Sequence, residues 1–161
     1  MDFFPEKLYT LSIIPKLKGE FTMKDPNCAY CMQVELVAKF GYPCCELESS
    51  FVYVFKEQSH KGRCIVAHKK HVSELIDLTD EERNQYFADI AKVSNALHKA
   101  FHPDKVNYGA YGDTGCHLHF HLVPKYKDEV EWGSTFEMNS GKVMLSDEEY
   151  EALAEAIRSN L

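Results

Sequence analysis

No apolar run approaches the roughly 20 residues that a membrane-crossing helix requires, so a membrane is not an expected partner. Basic charge is scarce: 18 Lys and Arg stand against 25 Asp and Glu, for a formal net charge of −7. A protein that coats nucleic acid gains affinity by replacing phosphate counterions with Lys and Arg, so this balance argues against a nucleic acid polymer as partner. It leaves room for a small anion in a locally basic pocket. Repeats, low-complexity tracts and Pro- or Gly-rich linkers are missing too, and nothing marks a boundary between two domains. The opening residues Met1-Asp2-Phe3-Phe4-Pro5-Glu6-Lys7 bring acid and proline where an export signal has basic charge and an apolar stretch. The expectation is a soluble, cytoplasmic protein.

What is present is an ordinary globular balance over 161 residues, 45% apolar and 27% charged. A chain of this size can bury about 70% of its extended surface around one core. Residues 1–26, with Pro5, Pro15 and Gly19 among short apolar clusters, are expected to form an irregular N-terminal arm, and residues 27–161 a single domain. The six cysteines are an even number, which would permit disulfides, but a reducing compartment favours burial or metal binding. Cys44, Cys45 and Cys64 lie in strand-like stretches and are expected to pack as small apolar groups.

The apolar pattern predicts a short helix over Tyr30–Phe40, ended by Gly41 and Pro43, then strands over 44–47, 51–55 and 64–67. Thr79-Asp80-Glu81-Glu82 is a capping box, and behind it Tyr86, Phe87, Ile90, Val93, Leu97 and Phe101 recur at helical spacing to near Ala100. Residues 106–111 and 116–123 form an antiparallel strand pair across Gly112–Gly115, and Ser146-Asp147-Glu148-Glu149 opens a C-terminal helix. The sum is an α+β domain, an antiparallel β-sheet with helices packed on one face.

The chemistry concentrates in Cys116-His117-Leu118-His119-Phe120-His121-Leu122-Val123-Pro124. Alternate strand residues share a face, so His117, His119 and His121 line one surface while Leu118, Phe120 and Leu122 turn to the core. Three imidazoles in a row are a poor way to build a half-buried sheet, because each ring nitrogen taken from water needs a partner. A second cluster, Asp25-Pro26-Asn27-Cys28-Ala29-Tyr30-Cys31, holds a Cys-x-x-Cys pair. Two thiolates can grip zinc, which then needs two more ligands, and the pair alone suits redox chemistry or plain burial equally well.

The His-x-His-x-His stretch with apolar residues between and after it resembles the signature of the histidine-triad (HIT) superfamily. The order of parts is similar as well: an early Cys-x-x-Cys, a histidine after a strand about forty positions beyond Cys31, a long helix, then the triad. The resemblance spans about Asn27 to Tyr126. It implies a HIT-like α+β fold and a nucleotide hydrolase or transferase acting at the α-phosphate of a nucleoside 5′-phosphate derivative, a phosphoramidate or a dinucleoside polyphosphate. It further implies His119 as the nucleophile, His121 as a donor beside the phosphate, and a structural zinc on Cys28, Cys31, His71 and His117. Thr114, three before the first triad histidine, matches a hydroxyl residue that, with the Gly115 amide, would cradle the phosphate. A homodimer through the long helix and a sheet edge is also implied by the resemblance.

Three positions depart from the pattern. Asp113 stands where a Gln is usual, Glu57 is the nearest match to an acidic ribose-binding residue, and the common Gly-His before the third strand is Gly62-Arg63. Lys61, Arg63, Lys69, Lys70, Lys125 and Lys127 are the cations that could focus a field on phosphate. Trp132 could stack on a base or pack. Two other readings remain: a non-catalytic nucleotide-binding module of this fold, and a hydrolase whose metal is held by the three triad histidines.

Overall fold

The computed structural model describes residues 25–32 and 34–161; the expected arm lies almost wholly outside them. Two short helical turns, α1 (Ala29–Met32) and α2 (Val34–Val37), lead into β1 (Gly41–Glu46). Gly41 is needed there, since a Cβ would sit 3.0 Å from Val37 Cγ1 and 3.2 Å from Tyr53 Cβ. The strand β2 (Ser50–Phe55) and then β3 (Cys64–His68) follow, before the long helix α3 (Asp80–Phe101). The chain closes with β4 (Lys105–Gly109), β5 (His119–Lys125) and α4 (Asp147–Arg158). The five strands form one antiparallel sheet in the order β1-β2-β3-β5-β4.

Both capping boxes are made. Thr79 accepts from the Glu82 amide and Ser146 from the Glu149 amide, while each Glu carboxylate reaches back to the cap amide. Of the α3 residues expected in the core, Tyr86, Ile90, Val93 and Leu97 are buried, but Phe87 is 42% exposed and flanks the stripe. Helices α3 and α4 pack on one face of the sheet against Val52, Val54, Cys64, Val66 and Leu122. Tyr86 Oη donates to Val66 O at 2.8 Å, and Asp89 accepts from the Ser49 amide and the Ser49 and Ser50 hydroxyls, tying α3 to the β1–β2 turn. The opposite face carries Phe51, Tyr53, Phe55, Ile65 and Ala67, covered at one end by Tyr30, Cys31 and Val37. Long helices share one side as expected, and the short N-terminal turns take the other.

The last strand is shorter than its alternation predicts. Pairing runs from Lys105↔Lys125 to Gly109↔His121, and β5 begins at His119. Residues 116–118 leave the ladder because Leu118 is claimed elsewhere: its amide donates to Val72 O at 2.7 Å and its carbonyl accepts from the His68 amide at 3.0 Å. Across β5, His119 lies opposite Ala67 and His121 opposite Ile65, so both rings fall on the side opposite the long helices.

Candidate functional site

The first half of the site is built by a turn. Asp25 Oδ1 accepts the Asn27 amide at 2.8 Å and Asp25 O the Cys28 amide at 3.0 Å, which starts α1 and sets Cys31 one turn after Cys28. Cys28 Sγ lies 3.3 Å from His117 Nδ1, and Cys31 Sγ lies 3.2 Å from His71 Nδ1 and 3.8 Å from His117 Nδ1. The two Nδ1 atoms are 3.3 Å apart, and all four donor atoms fall within 4.8 Å of one another. Bonds of about 2.3 Å to sulfur and about 2.0 Å to nitrogen in a tetrahedron imply ligand–ligand edges of roughly 3.3–3.8 Å, so the set fits zinc. His117 Nε2 donates to His68 O at 2.7 Å, which leaves the Nδ1 lone pair directed at the thiols. Burial pushes His117 down to about 4, favouring the neutral ring a metal needs.

The second half begins two residues later. His119 Nδ1 donates to His117 O at 2.7 Å, and burial holds its pKa below the ordinary imidazole value. Its Nε2 has no hydrogen bond among the described residues and keeps a little solvent exposure in a side chain that is otherwise buried. Tyr30 bridges the halves, its ring centroid 5.1 Å from that of His117 and 5.0 Å from that of His119. The His121 ring stands 5.3 Å from that of His119, with Phe55 edge-on at 5.3 Å. Its Nδ1 lies 3.4 Å from Arg63 Nη2, and burial, then Arg63, push its pKa down to about 3.

The pattern of the region from 45 to 128 matches the family model described as the HIT domain, just over half of the chain. The chain belongs to the HIT family. It is 28% identical over 145 residues to an adenosine 5′-monophosphoramidase of Schizosaccharomyces pombe, covering 84% of this chain and 98% of that one. A histidine triad protein of Sinorhizobium meliloti superposes with a TM-score of 0.73 at 21% identity, over 80% of this chain and 96% of that chain. A zinc-bound histidine triad family protein of Mycobacterium smegmatis gives 0.60 at 18% identity, over 83% and 94%. At these identities the structural likeness speaks for the fold.

Within this HIT domain the other expected site residues fall in different places. Asp113, Thr114 and Gly115 lie in an exposed turn ahead of β5; a Cβ on Gly115 would meet nothing within 4 Å, and Asp113 forms no salt bridge among the described residues. Glu57 is 2% exposed, and its Oε1 accepts from the Ser59 and Ser140 hydroxyls and the Val143 amide. Those bonds outweigh the burial that opposes its charge and hold it below the usual carboxylate range. Lys69 pairs with Glu46, Lys70 with Glu82 and Lys127 with Asp104, while Lys125 Nζ is buried on Glu131 O and Ser134 O. Arg63 is the cation that touches the triad. The three triad rings do not converge on one ion: the His117 Nδ1 faces the thiols, and an arginine donates to the His121 Nδ1. Trp132 is 43% exposed on the segment after β5.

That segment brings further side chains to the site without a motif of its own. Phe136, Glu137 O and Met138 Sδ close over Arg63, and Glu131, with a left-handed φ of 62°, bonds His60 at 2.6 Å. Tyr30 was visible only as a spacer inside Cys-x-x-Cys; an aromatic placed between two ligands was the available signal.

Proposed function

We propose that this protein hydrolyses a nucleoside 5′-phosphoramidate, or transfers its nucleotidyl group, through a nucleotidyl-histidine intermediate on His119. The observation that supports this most is the His119 Nδ1 bond to His117 O at 2.7 Å, with Nε2 left open. The bond fixes the proton on Nδ1, so the Nε2 lone pair is the nucleophile in a ring kept neutral by burial. Nε2 attacks the α-phosphorus and forms a P–N bond, and the leaving amine departs with the electron pair of its own bond to phosphorus, taking up a proton from solvent. Water then attacks the same phosphorus and gives a proton back to solvent, the P–Nε2 bond breaks back onto the ring, and the nucleoside monophosphate is released. His121 Nε2–H donates to a phosphoryl oxygen, and the Thr114 hydroxyl with the Gly115 amide cradles the phosphate from the exposed turn. The relative named as an adenosine 5′-monophosphoramidase supports the phosphoramidate class, and adenosine as the first nucleoside to test.

Cys28, Cys31, His71 and His117 would hold zinc. With four protein ligands the ion supplies structural cross-linking and no activated water. It would pin α1 and the segment after β3 to the start of β5. The exposed rings of Phe87 on α3 and Tyr108 on the edge strand β4 support a homodimer through that surface, which sedimentation would test. Cys28 and Cys31 serving as zinc ligands suit a reducing, cytoplasmic setting.

The test is hydrolysis of adenosine 5′-phosphoramidate by the zinc-loaded protein, with diadenosine polyphosphates as the competing class. Turnover to AMP that vanishes in His119→Ala supports the proposal. Tight binding of AMP with no turnover of either class would instead mean a binding module.

A further inference from the structure

Arg63 is an arginine without the surroundings that usually keep one. Its side chain is fully buried, its guanidinium lies over the Phe55 ring at 4.2 Å and the Phe136 ring at 4.8 Å, and Nε has no hydrogen-bond partner among the described residues. The nearest carboxylate, Glu57, is 3.9 Å from Nη1, beyond a good hydrogen bond. A buried cation left so poorly paired costs stability. Its backbone is clamped regardless: the Arg63 amide donates to His60 O at 3.0 Å, and its carbonyl accepts from the Phe55 amide and Gln58 Nε2. A Cβ on Gly62 before it would strike Phe101 at 2.5 Å, and Gly62 holds a φ of +88°. The guanidinium is held in place by Glu137 O at 3.2 Å and Met138 Sδ at 3.3 Å, with no surface open to solvent.

Its one bond toward the site is to His121 Nδ1, at 3.4 Å. A guanidinium has only donors, so this bond admits one state of the ring: neutral, with a lone pair on Nδ1 and the proton on Nε2. The groups around His121 are His119 on β5, Phe55 on β2, Phe136 after β5, and Arg63; only Arg63 is charged. We propose that Arg63 is a positioning residue that fixes His121 as a permanent Nε2–H donor to a phosphoryl oxygen. A neutral imidazole keeps its remaining proton near pH 7, so His121 is thereby excluded as the acid that protonates the leaving group. Burial and the adjacent cation act in the same direction on its pKa. The step rests on the proposed phosphoryl chemistry at His119.

The experiment uses zinc-loaded protein labelled with ¹⁵N-histidine. Long-range ¹H–¹⁵N correlations report each tautomer, alongside kcat and KM for adenosine 5′-phosphoramidate. The expected wild-type spectrum shows His121 neutral and Nε2-protonated from pH 5 to 8. In Arg63→Met, kcat falls about 10- to 100-fold while KM moves little, and His121 becomes a mixture of tautomers that titrates. Arg63→Lys, which keeps a donor and a charge, retains the Nε2–H form and recovers most of kcat. A wild-type His121 that is Nδ1-protonated or charged at pH 7 overturns the assignment, as does Arg63→Met losing kcat with the tautomer unchanged. If Arg63→Met does not fold, the wild-type spectrum and Arg63→Lys decide. Absence of turnover with the Nε2–H form present overturns the proposed activity instead, so the two failures are distinguishable.

Discussion

His117 and His119 are two residues apart, yet the backbone carbonyl each ring finds turns them toward opposite tasks. His117 gives its Nε2 proton to His68 O and presents Nδ1 to two thiols, in a cluster whose four donors face one another. His119 gives its Nδ1 proton to His117 O and presents Nε2 outward. One region is closed, as a site for holding is; the other is open, as a site for attack must be. Identical side chains in one strand are thus set apart by their hydrogen-bond acceptors. His117 links the two regions: its own ring, held by His68 O, faces the thiols, and its peptide carbonyl orients the His119 ring.

The two regions come apart when one side chain is removed from each. His119→Ala should lower phosphoramidate turnover by at least about 10³-fold while elemental analysis finds zinc unchanged. Cys28→Ser should do the reverse first: zinc is lost and the melting temperature drops by about 5–10 °C, seen by calorimetry. Equal metal content in that variant would dissolve the closed region.

Acid titration sharpens the contrast on the open side. His121 is 4% exposed and its folded pKa is about 3 against an ordinary 6.5. The unfolded chain therefore takes up a proton first as pH falls. The stability contribution of this ring is full above about 6.5 and is lost progressively toward about 3, by up to roughly 1.4 kcal/mol per pH unit. Denaturant titrations of His121→Asn should show a flatter profile over that window; an unchanged slope would mean the ring charges in the folded state. The smallest effect belongs to the frame. Thr79→Ala should cost about 1 kcal/mol through the lost α3 cap, measured by urea unfolding, with turnover and zinc untouched.

Much of the frame was legible because its causes are local. A capping box spans three residues, and the apolar spacing of α3 named Tyr86, Ile90, Val93 and Leu97 correctly. Phe87 broke that rule: about 100° round the helix from Tyr86, its large ring lies at the margin of the buried stripe and stays 42% exposed. The early start expected for β5 failed because strand alternation says nothing about which backbone bonds compete, and here Val72 and His68 claim Leu118. The candidate ligand set came through the family resemblance, and Cys28, Cys31, His71 and His117 do converge. The tautomers could not. The acceptor for His117 is a carbonyl 49 residues earlier in the chain, and the donor to His121 lies 58 earlier. Arg63 was readable as a charge near a strand, but its burial depends on Phe136 from a segment with no regular pattern. Glu57, matched by position to ribose binding, spends its carboxylate on Ser59, Ser140 and Val143.

In the proposed reaction the Nε2 of His119 takes the nucleotidyl group before water does. The stereochemical course at phosphorus measures this directly, using an adenosine 5′-phosphoramidate made chiral at phosphorus by oxygen isotope and sulfur substitution and hydrolysed in labelled water. Two successive in-line displacements predict overall retention of configuration. Inversion would mean a single direct attack by water and would contradict the account.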